Sequence, residues 1–99
     1  MEEDILGPII NFEKPKIHIR ITQRSGRHSF TTVEDLPQNL RFKEVLSAMK
    51  KNFHCNGGIQ NPDNKKIIQL FGDQRMNIKK FLLSEEIVTD ENDIIVHGF

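Results

Sequence analysis

The stretch KIHIRITQRSGRHSFTTV, Lys16 to Val33, decides how this chain folds. Ile17, Ile19 and Ile21 alternate with His18, Arg20 and Thr22, the period-two pattern of a strand buried on one face and open on the other. Ser25-Gly26 supplies a residue that accepts positive φ, so Ser29 to Val33 returns as an antiparallel partner. The second face of this hairpin meets water or a ligand. Turn geometry asks only for the glycine, yet Arg24, Arg27 and His28 crowd around it. The guanidinium forks match phosphate oxygens and Gly26 allows close backbone approach, so the tip reads either as an RNA-backbone contact or as a solvated surface turn.

Working outward, Leu36-Pro37-Gln38-Asn39 is punctuation, with Asn39 the expected N-cap of a helix carrying Phe42, Val45, Leu46, Met49 and Phe53 on one face. Lys50 and Lys51 in its last turn suit the negative end of the helix dipole. The two glycines of CNGGIQ break that helix. Gly58 to Gln60 is then a short strand, NPDNKK a turn and Lys66 to Phe71 a longer strand. Asp73 is the expected cap of a second helix that starts in QRMN, buries Ile78, Phe81 and Leu82, and exposes Lys79 and Lys80. DEND turns the chain into a last strand, Ile94 to Val96. The order ββαββαβ predicts an α+β two-layer sandwich, a five-stranded, mostly antiparallel sheet with both helices on one face.

Ninety-nine residues fit one domain, expected over 16–99, behind a flexible N-terminal tail over 1–15. The tail's Ile5, Leu6, Ile9, Ile10 and Phe12 either dock on a partner or fold over their own domain. Fourteen basic residues balance fourteen acidic ones, but the signs are segregated. Lys16, Arg20, Arg24 and Arg27 share a stretch free of carboxylates, while Glu85, Glu86, Asp90, Glu91 and Asp93 share one free of bases, which predicts a dipolar surface. A single cysteine and an acidic N-terminus point to a reducing, cytoplasmic compartment, and no apolar run is long enough to cross a membrane.

The chemistry-bearing residues argue against catalysis. His18, His28, His54 and His97 are scattered without zinc-ligand spacing, so neither a metal nor a cofactor is expected. Cys55 lacks any local signature of a nucleophile and reads as a buried structural thiol. Gly57-Gly58 and Gly72 do not form a phosphate-binding glycine loop. The basic-aromatic consensus of a single-strand RNA reader is missing, with Phe71 an isolated candidate.

IHIRITQRSGRHSFTTV, FHCNGG, IIQLFGDQR and the closing VHGF closely resemble eukaryotic translation initiation factor one, in the same order from about Lys16 to Phe99. The resemblance implies a non-enzymatic protein that binds the small ribosomal subunit near the P site. It would support scanning and start-codon selection by keeping initiator tRNA from settling fully until the start codon pairs. It also implies a monomer off the ribosome, with other initiation factors as partners. Gln23, Arg24, Ser25, Gly26, Arg27 and His28 would face ribosomal RNA and the mRNA channel, with Lys50 and Lys51 on the rRNA-facing helix. Asn61, Pro62, Asp63, Asn64 and Lys65 would form the loop opposing the tRNA.

Gly72, Asp73, Gln74 and Arg75 are further contact candidates, although a strand-to-helix hinge and a cap account for the first two. The chain departs from the family pattern at Glu44, Ser47 and Asn52, where bases are common, at Asn64 in the second loop, and at Phe71, which replaces a common polar residue. The alternatives are an acylphosphatase-like hydrolase, whose phosphate loop is absent, and a related recycling or reinitiation domain.

Overall fold

Alternation in the opening hairpin becomes burial on one face. The computed structural model describes residues 16–26 and 28–98, the side chains of Arg24 and Ser25 excepted; the expected tail 1–15, Arg27 and Phe99 lie outside the described residues. The elements are β1 (Ile17–Ser25), β2 (His28–Glu34), α1 (Phe42–Phe53), β3 (Gly57–Gln60), a 3-10 turn (Pro62–Asn64), β4 (Ile67–Phe71), α2 (Arg75–Ser84), a second 3-10 turn (Glu91–Asp93) and β5 (Ile94–Val96). The sheet runs β3-β4-β2-β1-β5. Every pairing is antiparallel except β1 with β5, where Ile17 lies beside Ile94 and Ile19 beside Val96. The expected two-layer α+β fold is the observed one.

Ile17, Ile19 and Ile21 of β1, Val33 of β2, Ile68 and Leu70 of β4 and Ile94 of β5 are buried on the helix-covered face. Phe42 and Met49 of α1 and Ile78, Phe81 and Leu82 of α2 close over them. Each such side chain contributes about 1.5–3 kcal/mol relative to exposure. Phe53 meets Phe81 edge-to-face at 5.9 Å, which joins the two helices.

Three local expectations are corrected. α1 is capped at Arg41, not Asn39, and has no side-chain cap, because Leu40 N–H donates to Pro37 C=O at 3.2 Å and closes a separate turn first. Its end is made by His54 in the left-handed region, φ 53° and ψ 51°, rather than by the glycines of CNGGIQ. Gly57 is instead the first residue of β3, where a Cβ would lie 2.5 Å from the Gln69 carbonyl oxygen. Only glycine fits that approach. α2 is capped at Gln74; Asp73, one residue earlier, accepts the Arg75 backbone N–H at 3.3 Å and so serves the helix start from further out.

Thr31, which no local pattern singles out, is 0% exposed on the same face of β2 as Val33. Its hydroxyl donates to Gly72 C=O at 2.6 Å and accepts from Gln74 N–H at 2.9 Å. Gly72 sits at φ +87°, a conformation that favours glycine, and its own N–H donates to Ser29 C=O at 2.8 Å. One hydroxyl therefore holds the strand-to-helix turn. Thr31→Val keeps the shape but strands a buried carbonyl and N–H, so it should cost about 1–3 kcal/mol and lower the melting temperature by at least about 4 °C. Thermal denaturation followed by circular dichroism checks this; an unchanged melting temperature would reject the staple.

Candidate ribosome-facing site

Strand register sorts the sequence-selected residues into two groups. The hairpin tip, Gln23 to His28, lies at one end of the sheet, where Gln23 opposes Ser29 and Phe30 opposes Phe71. Phe71 N–H donates to Asn56 C=O at 2.9 Å, so the end of α1, with Lys50 and Lys51, arrives at that same end. Gly72, Asp73, Gln74 and Arg75 follow directly. The Asn61–Lys65 loop joins β3 to β4 at the opposite end, about 15 Å away along a five-residue strand.

At the tip, Gly26 has φ +54° and its carbonyl accepts from the Gln23 side-chain amide. Gln23 therefore closes the turn as well as standing exposed on it. Lys51 is exposed and Lys50 half-buried. Arg27 and the Arg24 and Ser25 side chains lie outside the described residues, so only their chain positions bear on the site.

The guanidinium of Arg75, expected to offer a contact, is engaged inside the molecule. Its Nε and Nη2 donate to the two carboxylate oxygens of Asp73, each at 2.8 Å, and Nη1 donates to the His97 carbonyl at 3.2 Å. The hydrogen bonds from Arg75 hold the Asp73 carboxyl below the usual carboxylate range. Arg75 thus ties GDQR to His97. Gln74 is also partly committed, donating to Phe71 C=O at 3.1 Å and accepting from Asn77 at 2.9 Å.

At the opposite end, all five loop residues are exposed, and Asp63 and Asn64 take positive φ of 51° and 62°. Asp and Asn tolerate this conformation better than most residues, which gives both a local structural reason to be there. Gln38 clasps the base of the loop: its oxygen accepts from Lys66 N–H at 2.9 Å and its nitrogen donates to Lys66 C=O at 3.2 Å. Lys65 and Asp93 flank the same cleft as Asp35 and Val88, so the acidic 85–93 segment returns to this end. The charge segregation along the chain carries over only in part, because Lys16 Nζ donates to Asn92 C=O at 3.2 Å within the acidic segment and Arg20 pairs with Glu34 at 3.1 Å.

The open face of the sheet carries a pair that scattered histidines did not suggest. His18 Nδ1 and His97 Nε2 are 2.9 Å apart, with rings stacked at 5.2 Å. One ring donates and the other accepts, so a second proton would set N–H against N–H. Among the described residues no cluster of three metal-ligating side chains occurs. Cys55 is half-buried, and burial pushes its thiol pKa up against the opposing pull of Lys50, the reverse of an activated nucleophile.

These features define a small α+β domain whose candidate contact motifs occupy the two ends of one sheet. Residues 13–88 match the family model described as Translation initiation factor SUI1. A protein translation factor SUI1 homolog from Salix bakko is 45% identical over 87 residues, covering 87% of this chain and 76% of that protein. Eukaryotic translation initiation factor eIF-1 of Saccharomyces cerevisiae is 44% identical over 84 residues, 84% of this chain and 77% of that protein. The crystal structure of the C-terminal domain of human eIF2D shares the fold, with a TM-score of 0.67 at 18% identity, across 81% of this chain and 41% of that one. The chain belongs to the SUI1 family of translation initiation factors.

Desolvation, then the charges of Arg20 and His18, hold the His97 pKa below the ordinary imidazole value, with Glu34 opposing. As pH falls through about 6.5 the unfolded chain takes a proton that the native His97 refuses, so stability decreases and levels off below the native pKa. The Asp73 carboxylate stays ionised throughout that window. The melting temperature should therefore be lower at pH 5.5 than at pH 7.5, and His97→Gln should shrink the difference. An equal drop in both proteins would remove the His97 contribution.

Proposed function

We propose that this initiation factor binds the small ribosomal subunit near the P site and keeps initiator tRNA from full accommodation until the start codon pairs, which supports scanning. The observation that carries this reading is the division of the motifs between opposite ends of the sheet. The basic hairpin tip, the lysines ending α1 and the Gly72–Arg75 turn share one end, suited to rRNA and the mRNA channel. The Asn61–Lys65 loop projects from the other, together with the acidic segment, and is suited to oppose an incoming tRNA backbone. A rigid sheet between them lets one protein anchor at one end and obstruct at the other. It acts by binding, without catalysis or a cofactor, as a cytoplasmic monomer that meets other initiation factors on the subunit. No helix among the described residues is long and apolar enough to cross a membrane.

Anchoring by cations has a salt signature. If roughly five cationic groups displace counterions, affinity for small subunits should fall about three to four powers of ten per tenfold rise in monovalent salt. Replacing Arg24 and Arg27 with Glu should weaken pelleting with subunits while leaving the melting temperature nearly unchanged, because neither belongs to the apolar pattern. A flat salt dependence, or full pelleting by that variant, would reject rRNA anchoring at this end.

The obstructing loop needs a variant that respects its backbone. Asp63→Asn keeps a residue that tolerates the left-handed conformation and removes the charge alone. Initiation at UUG relative to AUG should rise in a paired reporter, with subunit occupancy, measured in parallel, unaltered. Unchanged stringency, or a rise accounted for by lost occupancy, would reject this role.

A further inference from the structure

Phe71 is 51% exposed at the end of β4, an unusual place for an unneeded aromatic ring. It is not isolated: Phe30, its cross-strand partner in β2, meets it edge-to-face at 4.8 Å and 88°. Its backbone is held on both sides, N–H to Asn56 C=O and C=O from the Gln74 amide. A ring oriented this firmly is a prepared platform.

Beside it runs an open groove of about 580 Å³, with Lys50, His54 and Asn56 from the end of α1 on one side and Phe71, Gly72 and Gln74 on the other. No carboxylate is among its lining residues. Lys50 offers an ammonium, and Asn56 carries an exposed carboxamide. Gln74 retains one N–H and one lone pair beyond the bonds to Phe71 and Asn77. A protein segment would call for a more apolar groove. One aromatic face, amides at its margin and a cation nearby is the chemistry that receives a splayed nucleotide: stacking for the base, hydrogen bonds for its edge and charge for its phosphate.

We infer that this groove takes one unpaired base of ribosomal RNA, stacked on Phe71. The inference rests on the proposal that this end of the sheet faces rRNA, and it adds a contact that the common polar residue at position 71 would not make. A base inside a duplex has both faces covered, so the nucleotide must be unpaired.

The test uses the full chain on purified small subunits, with base-specific chemical probing and hydroxyl-radical footprinting of the RNA backbone. Wild-type protein and Phe71→Tyr should shield one unpaired base. Phe71→Gln should lose that shielding and bind about tenfold more weakly, the scale of one base–aromatic stack, while keeping the backbone footprint. Asn56→Asp puts a carboxylate into the groove at an exposed position and should lose the same shielding, which keeps the test decisive if Phe71→Gln also weakens the fold. Identical base reactivity with all four proteins would overturn the inference and leave rRNA anchoring standing. An effect of Phe71→Gln seen only when other initiation factors are present would assign the groove to protein and likewise overturn it. No backbone footprint from the wild-type chain would remove the rRNA reading itself, and this inference with it.

Discussion

The hydroxyl of Thr31 is the point on which the rest of the structure depends. It is fully buried, yet satisfied in both directions, donating to Gly72 and accepting from Gln74. A buried hydroxyl with no partner would be costly; here it fixes the angle at which β4 hands over to α2. That angle decides whether Ile78, Phe81 and Leu82 fall onto the sheet. It also sets the position of Phe71 relative to the end of α1, and hence the shape of the groove between them.

Arg75 extends the same frame to the end of the chain. By binding both oxygens of Asp73 and the carbonyl of His97, it links the start of α2 to the residues that follow β5. His97 N–H in turn donates to Ile19 C=O at 2.8 Å, which seats β5 beside β1. Gly72 and His97 are far from the hairpin along the chain but meet it in space, Gly72 N–H on Ser29 C=O and His97 N–H on Ile19 C=O. Their joint presence in the sequence has a structural reason, independent of any ribosomal contact.

Polarity between the two ends follows from this frame. Because adjacent antiparallel strands reverse direction, the turn between β1 and β2 and the loop between β3 and β4 emerge on opposite sides of the sheet. The intervening elements return the α1 lysines to the first end and the acidic 85–93 segment to the second. The proposed anchoring and obstruction would thereby be kept apart, with the sheet between them.

Much of the fold was legible in the residues alone. Period-two alternation located β1 and β2, helical spacing located α1 and α2, and Ile94 to Val96 was placed residue for residue, because burial of one face leaves a local signature at each element's own period. The candidate contact motifs are proposals that rest on residue types gathered in turns. Terminating details were not legible: Asn39, Asp73 and the glycines of CNGGIQ were each reasonable caps, but Arg41, Gln74 and His54 occupy those positions. Caps compete within one or two residues, and packing against the sheet decides among them. Nor could sequence show that Thr31 staples Gly72 across forty-one positions, that Arg75 is turned inward, that His18 meets His97, or that Phe30 supports Phe71. Each is a meeting of residues distant along the chain. Local sequence determined which elements form and which face each buries; only the tertiary structure decided which polar and aromatic side chains meet, because strand order and register bring them together.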